Sequence, residues 1–173
     1  MATKLVIGKA APATFPLKVE VPTPSGLAEI NFVAKHLPST VWATLREEHS
    51  DVLEKKVKAI FDEARAAAKA EYDAQQKKAK KGAKAAAAVP EEEAEAQREQ
   101  GIDALLKPVK GSVLESLRAQ AAGELIAKIV DSWDLEDPMT VASLTEMCDQ
   151  YPGSSEAVFK AYNETREGNR SKN

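Results

Sequence analysis

Few residues of this 173-residue chain have side chains suited to catalysis or metal binding. It contains two histidines, His36 and His49, and one cysteine, Cys148. Covalent catalysis needs a nucleophile, a base and a group that orients the base, and the sequence offers no such set. Structural zinc sites need about four Cys or His ligands in paired spacing, which these three residues cannot supply. We therefore predict that the protein is not an enzyme and that it uses no metal and no cofactor.

Four acidic residues lie close together at Asp131, Asp134, Glu136 and Asp137. A twelve-residue calcium loop alternates its ligands, has a central glycine and closes on a glutamate, and this stretch has none of these features. We expect instead that Asp134 or Asp137 stabilises a turn between two helices by accepting hydrogen bonds from local amides.

A lysine-rich segment spans residues 77–84. Lysine runs neutralise nucleic-acid phosphates, so the alternative function is that of a nucleic-acid-associated protein. Only Tyr72 is near enough in sequence to stack on a base, glutamates in residues 91–95 compete for the lysines, and the whole chain carries a net charge of −3. We therefore rank a solvated linker ahead of a nucleic-acid site.

The N-terminal region is predicted to form β-structure. Residues 14–20 and 27–35 alternate apolar and polar side chains, and a Pro, Gly and Ser-rich turn separates them. This pattern is typical of a β-hairpin. Pro16 and Pro22 cannot donate to a ladder, which favours an edge position for the first strand. Residues 4–7 are a candidate third strand.

The remainder is predicted to be helical. Apolar residues recur at helical spacing from Trp42, and this stripe ends near Phe61. Residues 64–101 are rich in Ala, Lys and Glu without an apolar stripe, which favours a charged helical spacer. A further helix is expected to bury a face that ends at Trp133, and Thr140 is expected to cap a short helix.

The predicted fold class is α+β and mainly α. It comprises an N-terminal β-hairpin or small antiparallel sheet, a long Ala/Lys-rich helix or spacer, and a C-terminal bundle of short helices. We predict a hairpin with an amphipathic helix at residues 1–63 and a charged helical spacer at residues 64–101. A C-terminal helical domain is predicted at residues 102–165 and a disordered tail at residues 166–173.

Three stretches together resemble the tail assembly chaperones of long-tailed bacteriophages, which are chaperones of the tape measure protein. They are residues Ile126–Tyr162, Ile30–Leu37 and Trp42–Leu45, and they cover about half of the chain. The long charged segment in the middle departs from the compact pattern of that family.

The resemblance implies a function without catalysis. A member of this family would bind the tape measure protein, keep it soluble, and recruit the major tail protein before the tail tube assembles. It would act in the host cytoplasm and would not remain in the mature virion. Apart from the resemblance, the longest candidate apolar run, Leu125 to Val130, is interrupted by Lys128, and a membrane span needs about 20 apolar residues, so we expect no membrane partner. Self-association is left open.

A chaperone of this kind needs accessible apolar anchors, and aromatic residues are frequent anchors at interfaces. Six large residues lie in or beside the predicted breaks between the C-terminal helices. We predict that they bind the partner or, alternatively, close a small helical core: Trp133, Leu135, Met139, Tyr151, Phe159 and Tyr162. Residues 124–164 carry nine acidic groups against two lysines, a net of −7, which would attract a basic partner.

Overall fold

A computed structural model describes residues 13–80 and 91–168 of the chain. The candidate strand at residues 4–7 lies outside the described residues. The elements in chain order are β1 (Thr14–Thr23), β2 (Gly26–Lys35), α1 (Ser39–Lys80), α2 (Glu91–Leu105), α3 (Gly111–Ile129), β3 (Val130–Trp133), α4 (Val141–Gln150) and α5 (Ser154–Arg166). The predicted fold class, α+β and mainly α, is confirmed.

The predicted hairpin forms, with β1 antiparallel to β2. Leu17 lies opposite Phe32 and Val19 opposite Ile30, and all four side chains are buried on one face of the sheet. Side chains alternate between the two faces of a strand, so the residues between them face outward. The turn closes at Gly26, whose φ of +127° is a backbone conformation that favours glycine.

A third strand, β3, was not predicted. Val130–Trp133 pairs antiparallel with β2, so the sheet order is β1-β2-β3. The prediction that the helix continues to Trp133 was therefore wrong, because α3 ends at Ile129. Helical spacing extends through this stretch, but the open edge of β2 supplies backbone partners that lie about a hundred residues earlier in the chain. Asp131 has no partner in the register, which marks a bulge.

The hairpin and the C-terminal helices share one core. The described residues of 1–53 and 115–173 form a single compact unit. Its core joins Leu17 and Phe32 of the hairpin to Trp42, Leu144 and Tyr162. We expected the hairpin and the C-terminal helices in separate domains, whereas they pack together because a two-stranded hairpin is too small to bury its own apolar face.

Helix α5 is anchored to the start of α1 and to the end of β2. The Trp42 indole Nε1 donates to Asn163 Oδ1 at 2.9 Å, and the Tyr162 hydroxyl donates to the Lys35 carbonyl at 2.9 Å. Arg166, which was expected to begin the polar tail, is the last residue of α5 and donates to the Leu37 carbonyl at 3.0 Å. Residues 169–173 of the predicted tail lie outside the described residues.

The second compact unit comprises residues 54–114. Its described part is helical, as predicted, but α1 and α2 contact each other within it. Arg65 pairs with Glu99, and Arg98 pairs with Asp73 at 3.1 Å. A Cβ at Gly101 would overlap the Tyr72 ring, so the two helices are also in close contact there. The role of residues 64–101 as a spacer stays a prediction.

Candidate functional site: a groove between the hairpin and α4

An open groove of about 660 Å³ lies between the turn end of the hairpin and helix α4. We call it the α4 groove. The hairpin contributes Val21, Ala28 and Ile30, and α4 contributes Met147 and other residues of one face. The segment between β3 and α4 forms the remaining wall. The groove therefore combines residues that lie more than a hundred positions apart.

Helix α4 is held in place at its N-terminus. Thr140 Oγ1 accepts from the Ser143 amide at 3.1 Å, and Ser143 Oγ accepts from the Thr140 amide at 2.8 Å. This reciprocal capping box confirms the predicted N-cap at Thr140. Gly123 of α3 also lies against α4, since a Cβ there would come within 2.8 Å of the Thr145 backbone nitrogen. A side chain at position 123 would push α3 and α4 apart.

Asp134 fixes the wall of the groove to the sheet. Its Oδ1 accepts from the Asn31 backbone amide at 2.9 Å, and its Oδ2 accepts from Asn31 Nδ2 at 2.8 Å. These hydrogen bonds lower the pKa of the Asp134 carboxyl because they stabilise its charged form. We expected Asp134 or Asp137 to accept from local amides, but the partner of the Asp134 carboxylate lies on β2.

The Trp133 side chain is fixed by a second interaction. Its Nε1 donates to the backbone carbonyl of Asp137 at 2.7 Å, and its ring lies 6.1 Å from that of Phe32, centroid to centroid. One side of the indole is thus packed and the ring is only half-buried. An aromatic ring held in place and partly exposed loses little freedom when a partner binds it.

The structure brings together three of the six predicted partner-binding residues. Trp133, Leu135 and Tyr151 all line the α4 groove. Leu135 is 41% exposed, and the two aromatic rings are half-buried. Their binding of a partner stays a prediction, and their positions are compatible with it.

The other three residues do not line the groove. Met139 and Phe159 are half-buried against the core, and Phe159 lies 6.3 Å from Trp42, ring centroid to ring centroid. Tyr162 is 0% exposed, so in this structure it is a core residue, as the alternative interpretation had it. Its burial raises the pKa of the phenol. We therefore withdraw Tyr162 as a contact residue.

The groove is acidic. Glu29, Asp137 and Glu146 line it, and none of the described residues that line it is lysine or arginine. Glu29 also pairs with Lys18 across the outer face of the hairpin at 2.6 Å. An apolar groove with acidic side chains at its margin favours a partner segment that combines apolar and basic residues.

Sequence reasoning missed the hairpin side of this site. Ala28, Glu29 and Ile30 were assigned only to a strand, and nothing local connects them to α4. The available signal was the alternation of apolar residues on β2, which indicates a buried face but not the element that covers it.

The histidines and the cysteine have structural surroundings. His49 Nε2 donates to the Ala121 carbonyl at 2.7 Å, and the His36 ring lies edge-on to Phe15. Cys148 is half-buried, and burial raises the pKa of its thiol, which makes it less reactive. Over residues 13–80 and 91–168, no group of three or more His, Cys, Asp or Glu side chains is arranged to hold a metal ion.

The described part of the lysine-rich segment is exposed. Lys77 and Lys78 are exposed and lie in the last turn of α1. Lys81 and Lys84 lie outside the described residues, so the nucleic-acid alternative stays a prediction. None of the helices in the described ranges is both long and apolar enough to cross a membrane.

Comparison with known proteins identifies the family. The family model for the phage tail assembly chaperone matches residues 1–173. Searches of curated proteins and of solved structures returned no match. The family match includes the charged middle segment, which the resemblance of the three shorter stretches did not cover. The chain therefore belongs to the phage tail assembly chaperone family.

Proposed function

We propose that this chaperone binds the tape measure protein, keeps it soluble and recruits the major tail protein to the growing tail tube. The observation that carries the proposal is the family match over the whole chain. Proteins of a chaperone family are not normally enzymes, which agrees with the absence of a catalytic set in the sequence.

The α4 groove supports the proposal as the client-binding surface. A long client with amphipathic segments would aggregate through its apolar residues, and an open apolar groove could cover them. Leu135 and the half-buried rings of Trp133 and Tyr151 would provide the anchors. The acidic groups would keep the complex soluble and favour basic client segments.

The proposed place and time of action follow from this role. A chaperone that covers apolar client surface must leave before that surface is packed into a tail. We therefore propose that the protein acts in the host cytoplasm and is absent from the mature virion. Mass spectrometry of purified virions, with the infected-cell lysate as reference, would test this proposal.

Co-expression tests the proposed client. The wild-type chain should increase the soluble fraction of the tape measure protein encoded by the same phage. Leu135→Ser should reduce that increase, because it removes an exposed apolar side chain from the groove. Val141→Ser is a matched control, since Val141 is 44% exposed and does not line the groove.

Circular dichroism would establish that both variants are folded. No rise in soluble tape measure protein with the wild-type chain would refute the proposed function. If Leu135→Ser and Val141→Ser reduced the increase in soluble tape measure protein equally, the groove would not be the client-binding surface.

A further inference from the structure

Within the part of the chain that the structure describes, the edge of β2 beside the α4 groove has unpaired backbone groups. The Asn31 carbonyl accepts from the Asp134 amide at 3.1 Å, so the backbone of Asn31 faces the β3 side. Alternate residues of a strand direct their backbone groups to the same edge. The backbone groups of Leu27 and Glu29 are therefore directed towards this edge too. Strand β3 pairs with β2 only as far as Phe32, so it does not reach them. Within residues 13–80 and 91–168, no backbone partner is present at Leu27 or Glu29 on that side.

The chain leaves the sheet at the point where the groove begins. The Asp134 carboxylate occupies the position next to Asn31 that a further backbone group would otherwise fill. Beyond Trp133 the chain bends over residues 134–137, and Trp133 Nε1 donates to the Asp137 carbonyl. The groove lies beside the part of β2 left uncovered, and Ala28, Glu29 and Ile30 line it.

The opposite edge of the sheet is blocked. In β1, Pro16 lies opposite Val33 and Pro22 opposite Leu27. The backbone N–H and C=O groups of Val33 and Leu27 are directed towards the β3 side. In an antiparallel pair, the backbone groups of their β1 partners are then directed towards the outer edge of β1. The two prolines therefore remove amide donors from the outer edge, a common protection against strand addition. The β2 edge next to the groove has no such protection.

We propose that an extended segment of the client adds to the sheet as a strand at Leu27 and Glu29, in line with β3. The inference rests on the proposed function for the identity of the client and goes beyond it in specifying how the client binds. Strand addition uses backbone hydrogen bonds for affinity and side-chain pockets for specificity. It satisfies the free groups of β2, whereas a bound helix would leave them solvated.

The groove also specifies the side chains of that segment. Successive residues of the added strand would point to opposite faces of the sheet. One set would enter the groove against Ile30, Trp133 and Met147 and must be apolar. The other set would lie on the outer face beside Glu29, whose carboxylate already pairs with Lys18, so the structure specifies no charge at those positions. The recognised segment is therefore a short stretch with an apolar residue at every second position.

Amide hydrogen exchange on the full chain tests the mode of binding. The probes are short overlapping peptides that together cover the tape measure protein. A bound peptide should slow exchange of the Leu27 and Glu29 amides by about tenfold or more, because exposed amides become hydrogen-bonded. The Asn31 amide, already bonded to Asp134, is the internal control.

Peptide methylation gives a second readout on the wild-type chain. Backbone N-methylation of the alternate residues that face β2 should abolish binding, and methylation shifted by one residue should leave it intact. Leu27→Pro should weaken binding by removing one donor, while Leu27→Ala keeps that donor and serves as control. If Leu27→Pro does not fold, the methylated peptides on the wild-type chain still test strand addition.

The outcomes separate the two proposals. Peptides that bind without protecting Leu27 and Glu29, or that bind equally with either methylation pattern, would overturn strand addition and leave the client assignment standing. Binding of neither the peptides nor the full-length tape measure protein would overturn the proposed function and this inference with it.

Discussion

Residues 54–114 and the unit formed by residues 1–53 and 115–173 bury different kinds of side chain. Among the described residues of 54–114, only Ala68 and Ile102 are buried. The unit of residues 1–53 and 115–173 buries large aliphatic and aromatic side chains from both ends of the chain. Stability increases with the apolar area that is buried, so this larger unit should contribute most of the free energy of unfolding.

This contrast indicates in which unit a mutation should affect stability most. In residues 54–114, helix contacts rely on exposed ion pairs and on Tyr72 against Gly101. Exposed ion pairs each contribute about 0–1 kcal/mol. In the other unit, large core residues from both ends of the chain pack in one cluster, so the loss of one cannot be compensated by its neighbours in sequence.

The largest expected effect is that of Phe32→Ala. Phe32 is 1% exposed, between β1 and β3, and its truncation should lower the free energy of unfolding by about 3–5 kcal/mol. Phe61→Ala is the control in the other unit, where the side chain is 47% exposed and the loss should be about 0.5 kcal/mol or less. Urea denaturation measures both. Similar losses would show that the two units do not differ in this way.

Two glycine substitutions, one in each unit, test how rigid the helix contacts of the two units are. Gly123→Ala should cost about 1–3 kcal/mol, because the new Cβ meets the backbone of Thr145, which cannot move without shifting α4. Gly101→Ala meets the Tyr72 ring, which can rotate, and alanine is the better helix former by about 1 kcal/mol. Thermal unfolding should therefore show a lower Tm for the first variant only. A lower Tm for both would indicate that the Tyr72 contact is rigid.

A smaller effect is expected at Asp134, and it depends on pH. Folding lowers the pKa of this carboxyl from its ordinary value of 3.8, so its contribution to stability is present above that value. The contribution is lost as the pH falls through the lowered pKa of the folded state. Asp134→Asn should thus reduce Tm at neutral pH, and the difference from wild type should disappear in acid.

Asn31→Ala tests the partner of this carboxylate. It removes the hydrogen bond from Asn31 Nδ2 and leaves that from the Asn31 backbone amide, so it should lower Tm by less than Asp134→Asn at neutral pH, and the double variant should lose little more than Asp134→Asn. Additive losses would mean that the two side chains act independently.

The smallest expected effect concerns the exposed lysines of α1. Replacing Lys77 and Lys78 with Gln should leave binding to random duplex DNA unchanged, because we expect that binding to be weak in the wild type. A salt titration of fluorescence anisotropy measures it. Micromolar binding that falls steeply with salt and is lost in the variant would favour the nucleic-acid alternative.

Local patterns predicted much of the secondary structure. Alternation predicted β1 and β2, helical spacing predicted the start of α1, and the Thr140 cap predicted α4. These features depend on residues within a few positions of each other. Strand β3 was missed because its stability comes from pairing with β2, about a hundred residues away.

The class of fold, the helical character of the middle segment and the resemblance to tail assembly chaperones could be predicted from the residues alone, because composition, periodicity and short motifs are local properties. Which apolar residues remain accessible depends on the packing of distant elements. Trp133, Leu135 and Tyr151 meet in one groove while Tyr162 is buried, although all four were predicted as anchors. Burial depends on which distant surface covers a side chain: Phe15 and Trp42 pack against Tyr162, whereas Trp133, Leu135 and Tyr151 lie along an open groove.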